Sequence, residues 1–115
     1  YLQNAYARIR SIFRKGGVTL DAPVWKLEDP RETDLARHLL RFGEMLQVTV
    51  DEFRPSFLCT YLFELAGKFH LFYENCPVLK ADEPVRRSRL HLCDLTARTL
   101  QTGLDLLGIG TVEQM

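Results

Sequence analysis

The sequence predicts an all-α fold, a helical bundle of four to five helices. Two kinds of observation carry that prediction. Apolar residues recur three and four positions apart along most of the chain, which puts them on one face of a helix, and proline or glycine signals mark where those runs start and stop. The stretches between the runs are short and need no strand pair.

The first run is "YLQNAYARIRSIFRKGG". Leu2, Ala5, Ile9, Ile12 and Phe13 fall on one stripe, Arg8, Arg14 and Lys15 flank it, and Gly16-Gly17 stops the helix. "VTLDAPVWKLEDP" is interrupted at Pro23 and Pro30 and reads as a linker, with Val24, Trp25 and Leu27 expected over the core. Asp29-Pro30 followed by Glu32 is a helix start: the aspartate side chain accepts from free backbone N–H groups, and proline at the first helical position lacks an N–H that would be orphaned there.

Leu35, Leu39, Phe42 and Leu46 supply the next stripe. Residues 48–53 either continue that helix or form a second short one, since the β-branched Val48, Thr49 and Val50 lower helix propensity. The clearest pattern follows over residues 55–76, where Leu58, Leu62, Leu65, Phe69, Phe72 and Cys76 are spaced four, three, four, three and four apart. Pro77 ends that helix by excluding helical geometry from the residue before it. A loop, "VLKADEPVRRSR", then leads to a last helix with Asp82 as the expected N-cap before Pro84. Leu90, Cys93, Ala97, Leu100, Leu104 and Leu107 continue the three-four spacing, and Gly108 is placed as the glycine that closes the helix.

With 115 residues, the chain is expected to form one domain over residues 1–115 and to bury a real core. A composition of 46% apolar and 26% charged residues, without low-complexity tracts or repeats, argues against disorder. No apolar run approaches the roughly 20 residues of a membrane span, and no signal peptide is visible, so a cytoplasmic protein with no membrane partner is expected. Because the chain opens at Tyr1 inside an amphipathic pattern, it is expected to be a piece of something longer.

Nothing in the sequence points to catalysis. There is no glycine-rich phosphate loop, no His-Glu-x-x-His helix and no Gly-x-Ser-x-Gly elbow. Cys59, Cys76 and Cys93 form no Cys-x-x-Cys pair and are expected to be buried, reduced thiols; His38, His70 and His91 are scattered over three helices. No metal site and no catalytic residue is therefore expected.

Charge distribution is more informative than its sum. Fifteen basic residues balance fifteen acidic ones over the chain, yet the opening stretch carries Arg8, Arg10, Arg14 and Lys15 and no acid. A second cluster, Arg86, Arg87 and Arg89, opens the last helix. Either is compatible with a plain solvated face. Arginine beside an exposed tyrosine is also what unpaired RNA needs, because a guanidinium holds phosphate while a ring stacks a base. Tyr1, Tyr6, Tyr61 and Tyr73 are the candidates, two or three of them being expected in the core. The residues alone leave RNA binding and a helical protein-interaction groove both open.

Three segments resemble a known family. "YLQNAYARIRSI" is similar to the Tyr-x-Gln-Tyr-Ala-x-Ala-Arg segment that opens the C-terminal, DALR-type anticodon-binding domain of arginyl-tRNA synthetases. "TYLFELAGKFHLFYENCPVL" resembles that domain's central helix, and "LLGIGTVEQM" its closing Leu-Leu-Gly-Ile-x-x-Pro-Glu-x-Met. The matches occur in the family's order and cover nearly the whole chain.

The resemblance implies the helical bundle of class I synthetase anticodon-binding domains and, as partners, the anticodon loop of tRNA-Arg and a catalytic domain upstream in the same chain. It implies no cofactor in this domain, and ATP with Mg in the parent enzyme. DNA is not an implied partner; another class I synthetase is the nearest alternative parent. Carried over by position, Tyr1, Arg8, Tyr73 and Met115 face the anticodon loop. Asn4 stands where the family has a second aromatic, leaving hydrogen bonding in place of a stacking plane. His70 stands where the family often has Asn, and Val112 replaces the proline of the closing segment. Asn4 and His70 thereby join the expected RNA-binding set.

Overall fold

The computed structural model describes residues 1–17, 20 and 22–108, and within them forms five helices and no strand. They are α1 (Leu2–Gly16), α2 (Pro30–Leu40), α3 (Phe42–Glu52), α4 (Pro55–Asn75) and α5 (Val85–Leu106). α4 runs through the middle, in contact with each of the other four, while α1 and α2 also pack on α5. Among the described residues no helix is long and apolar enough to cross a membrane.

The stripes read from the sequence are the buried faces. Leu2, Ala5, Ile9 and Ile12 of α1 meet Leu58, Leu62, Leu65, Phe69 and Phe72 of α4 and Leu90, Cys93, Ala97, Leu100 and Leu104 of α5 in one core. Each fully buried Leu, Ile or Phe contributes roughly 1.5–3 kcal/mol. α4 and α5 approach closely at Gly103, where an added Cβ would lie 2.7 Å from both Leu62 methyl carbons. Tyr6 and Tyr61 are core residues. The Tyr61 hydroxyl donates to the His38 carbonyl, His38 Nε2 lies 3.0 Å from the Tyr61 carbonyl, and the two rings stack at 4.2 Å, so His38 is a satisfied core residue joining α2 to α4.

Helix ends follow local chemistry. Gly17 ends α1 at φ 58°, a conformation that costs glycine no Cβ clash, with its N–H donating to the Arg14 carbonyl. Asp29 and Glu32 form a complete capping box, Asp29 accepting from the Arg31 N–H at 2.8 Å and Glu32 from the Asp29 N–H at 2.9 Å. Gly108, at φ 79°, follows α5 as expected.

Four expectations change. The break between α2 and α3 falls at Arg41, so residues 48–52 are the second half of α3, and Phe53 ends it at φ 52° with an exposed ring. The β-branched residues are tolerated there because Thr49 returns its hydroxyl to the Met45 carbonyl and no residue of α3 is fully buried. Asp82 is no N-cap. Pro84 holds that position without a side-chain cap, which puts Asp82 two residues too early; its backbone carbonyl accepts from the Arg86 N–H instead. The linker buries its apolar residues only in part: Trp25 is 53% and Leu27 40% exposed while Val24 is half-buried, and the segment is tied to α5 by the Lys26 N–H donating to the buried Ser88 hydroxyl. Of the cysteines, Cys76 and Cys93 are buried but Cys59 only half-buried, and all three are free thiols.

Candidate nucleic-acid interface

Four of the six expected site residues come together where the start of α1 lies against the second half of α4. The carbonyl of Tyr1 accepts from the Ala5 N–H, opening α1, and its side chain crosses onto α4. There the Tyr1 ring stacks on Phe63, 5.4 Å away and 7° from parallel, and leans at 5.9 Å on the His70 imidazole. Both outer rings stay accessible, Tyr1 at 58% and Phe63 at 52%. Asn4 and Arg8 project from the same side of α1, one turn apart, as helical spacing requires. With Tyr1, Ala5, His70 and Glu74 they line a cleft of about 270 Å³.

The electrostatics of the cleft are mixed. The imidazole of His70 is held below its usual pKa, first by burial and then by the positive charge of Arg8, with Glu74 pulling the other way. A neutral ring results, offering one donor and one acceptor. Arg8 forms no hydrogen bond or ion pair with another residue among those described.

Arg10 and the arginines of the second basic cluster have partners inside the protein. Arg10 bonds Asp94 of α5 at 2.9 Å and lies over the Tyr6 and Phe13 rings. In the second basic cluster Arg86 and Arg87 reach Glu83, while Arg89 bonds Glu32 at 3.1 Å and the Pro77 carbonyl at 2.8 Å. That cluster is a structural clamp between α2, α5 and the loop before α5.

Tyr73 stands apart from the cleft. It stacks on Phe69 at 5.8 Å and opens on a neighbouring recess of about 310 Å³ with Cys76, Pro77, Val78, Leu79 and Lys80. Met115 lies outside the described residues. Two members of the surface escape the sequence reading, Phe63 and Glu74. They lie seven residues before and four after His70, hence on one side of α4, but the core stripe of that helix does not include them, and only the packing of α1 turns that side into a site. Among the described residues no group of His, Cys, Asp and Glu is arranged to hold a metal ion.

Comparison with known proteins agrees with this architecture. The DALR anticodon binding domain matches over residues 2–115, and the chain belongs to that family. Its likeness is to the form of the domain found in arginyl-tRNA synthetases. The arginine–tRNA ligase of Synechococcus sp. is 51% identical over 118 residues, taking in all of this chain and 20% of the relative, and that of Mannheimia succiniciproducens is 52% identical over 118 residues with the same coverage. The solved Thermus thermophilus arginyl-tRNA synthetase superposes with a TM-score of 0.92 at 40% identity, over the whole of this chain and 21% of its own. The Plasmodium falciparum enzyme gives 0.89 at 30% identity, again over the whole of this chain and 21% of its own. The chain thus spans about a fifth of the length of the curated relatives it matches. The resemblance carried by the opening, central and closing segments holds for the whole domain.

Proposed function

We propose that this chain binds the anticodon loop of tRNA-Arg as the C-terminal domain of an arginine–tRNA ligase, working in the cytoplasm with no membrane or DNA partner. In this reading the chain itself carries no catalytic residue. A catalytic domain elsewhere in the same polypeptide activates arginine with ATP and Mg and transfers it to the tRNA 3′ end. The observation that carries the reading is the Tyr1–Phe63 stack beside Arg8, a guanidinium with no partner among the described residues.

An anticodon loop presents unpaired bases, which rings can stack and polar groups can read. Tyr1 and Tyr73 are the stacking residues, each contributing about 1–3 kcal/mol per base. Asn4 and His70 hydrogen-bond, and Arg8 holds a phosphate or a base edge. Met115 packs its thioether on an aromatic face. Tyr73, one turn beyond His70, serves a base next to the one in the cleft.

The test is salt-titrated binding of this chain to tRNA-Arg and to a transcript changed only at the central anticodon base, repeated for Tyr73→Ala and Tyr1→Ala. Preference for the unaltered tRNA that shrinks in both variants is the expected result. Equal binding to both transcripts, or binding that persists unchanged in high salt, counts against anticodon recognition and in favour of a protein-interaction surface.

A further inference from the structure

α3 carries more apolar residues than its place in the bundle uses. Its stripe of Phe42, Met45 and Leu46 packs against the core, yet no residue of the helix is fully buried. Val48 and Val50 lie outside that stripe, 40% and 64% exposed. A helix that is apolar beyond one face is ordinarily covered on more than one side. Met45 and Val48 also form one wall of a groove of about 440 Å³, whose other wall is Phe57, Thr60, Tyr61 and Glu64 of α4.

Phe53, which ends α3, adds an independent observation. It holds φ 52°, whereas the other left-handed positions among the described residues, Gly17 and Gly108, are glycines. That conformation costs a bulky side chain free energy that glycine avoids. The Phe53 ring is 89% exposed, so it gains little from the domain in return.

Charge indicates what covers this surface. α3 bears Glu44, Asp51 and Glu52 and no base, the reverse of the opening helix with its four bases and no acid. Glu64 stands at the groove as well. Such a surface repels RNA phosphates, whereas a protein surface with an apolar centre and a basic rim complements it. The chain spans 20% of the arginine–tRNA ligases it matches, so in a polypeptide of that size about four-fifths of the residues are available to supply that surface.

We propose that the outer surface of α3, including Phe53 and the groove it forms with α4, packs against the remainder of the same polypeptide, on an apolar patch edged by lysine or arginine. Phe53 is the anchor of that contact: its ring becomes buried there, which offsets the backbone conformation that holds it out. This inference rests on the reading of the chain as one domain of a longer ligase and adds the surface by which that domain is held.

The experiment uses the whole polypeptide in which this chain occurs. Phe53 is replaced by the photo-crosslinking residue p-benzoylphenylalanine, the protein is irradiated at several concentrations, and adducts are mapped by mass spectrometry. The expected adduct joins position 53 to a peptide outside residues 1–115 of the same molecule, with a yield independent of concentration. The same probe at Val48 is expected to reach the same part of the molecule, and Phe53→Asp to lower its yield by about tenfold. Phe53→Gly, which removes the ring without adding a charge and adopts φ 52° freely, is expected to lower that yield too. Affinity of Phe53→Asp and Phe53→Gly for an anticodon stem-loop should stay within about twofold of the wild type, because α3 contributes nothing to the α1–α4 cleft.

No adduct from position 53, or adducts confined to residues 1–115, overturns the proposal. So does an adduct between two copies whose yield rises with concentration. A wild type that binds the stem-loop no better than an unrelated hairpin overturns the anticodon reading, whereas the adducts alone decide the docking surface.

Discussion

Two arginine–glutamate couples in this domain use the same side chains for opposite ends. Glu32 of α2 and Arg89 of α5 meet at 3.1 Å with the glutamate fully buried. Arg8 of α1 and Glu74 of α4 face a common cleft and remain unbonded to each other. Burial accounts for the difference. In the first couple the Glu32 oxygen that holds Arg89 also accepts from the backbone N–H groups of Glu28 and Asp29, so two charges removed from water still have partners. The second oxygen of Glu32 and Nε of Arg89 remain without a partner among the described residues, a desolvation cost that the closed couple bears and the open one does not. In the second couple both groups keep access to water, and neither needs the other. A ligand can therefore displace water from each of them without first breaking a protein contact.

The largest expected effect comes from breaking the closed couple. Glu32→Ala leaves a charged, largely enclosed Arg89 and removes half of the capping box, and is expected to cost about 3–5 kcal/mol in denaturant unfolding. RNA affinity per folded molecule should be unchanged. A loss below about 1 kcal/mol would mean that the pair resembles a surface ion pair and that the contrast drawn above is wrong.

The open couple gives the reverse expectation. Arg8→Ala should leave stability within about 0.5 kcal/mol of the wild type while weakening anticodon-loop binding by about tenfold. The salt dependence of binding sharpens the point. A slope that stays put places Arg8 on a base edge, whereas a slope reduced by about one places it on a phosphate.

The smallest effect is a titration. Burial and Arg8 both disfavour the imidazolium of His70, so its NMR midpoint should lie below the ordinary histidine value, and Arg8→Ala should raise it. Since the folded-state pKa is the lower one, the unfolded chain takes up this proton first. Stability linked to His70 is therefore intact above the unfolded value and declines as pH falls through it toward the folded value. A midpoint that does not move in Arg8→Ala would separate the two side chains and reduce the cleft to a chance proximity.

How much of this was legible beforehand varies by residue. The stripes of the first, central and last helices were readable because a helix that buries one face must repeat its apolar residues at three and four. The start at Asp29 was readable because capping is local chemistry. The α2–α3 break at Arg41 was not, since Arg41 is neither a proline nor a glycine and the apolar stripe runs through it to Phe42. Among the site residues, Tyr1, Asn4, Arg8 and His70 were named from family resemblance, and no periodicity would have joined two helices that are not neighbours in the chain. Phe63 and Glu74 went unnamed for the same reason.

By itself, then, the sequence determined that this chain is an all-α bundle, which faces of its helices are buried and where several of its helix ends fall, because propensity, capping and periodicity act within a few residues. Only the tertiary structure decided that Arg89 is a clamp and Arg8 an open donor, that Tyr6 and Tyr61 are core while Tyr1 and Tyr73 are surface, and that Glu74 shares a cleft with Arg8. Those outcomes depend on which helix lies against which, and the partner that neutralises or leaves free a given charge comes from a distant part of the chain.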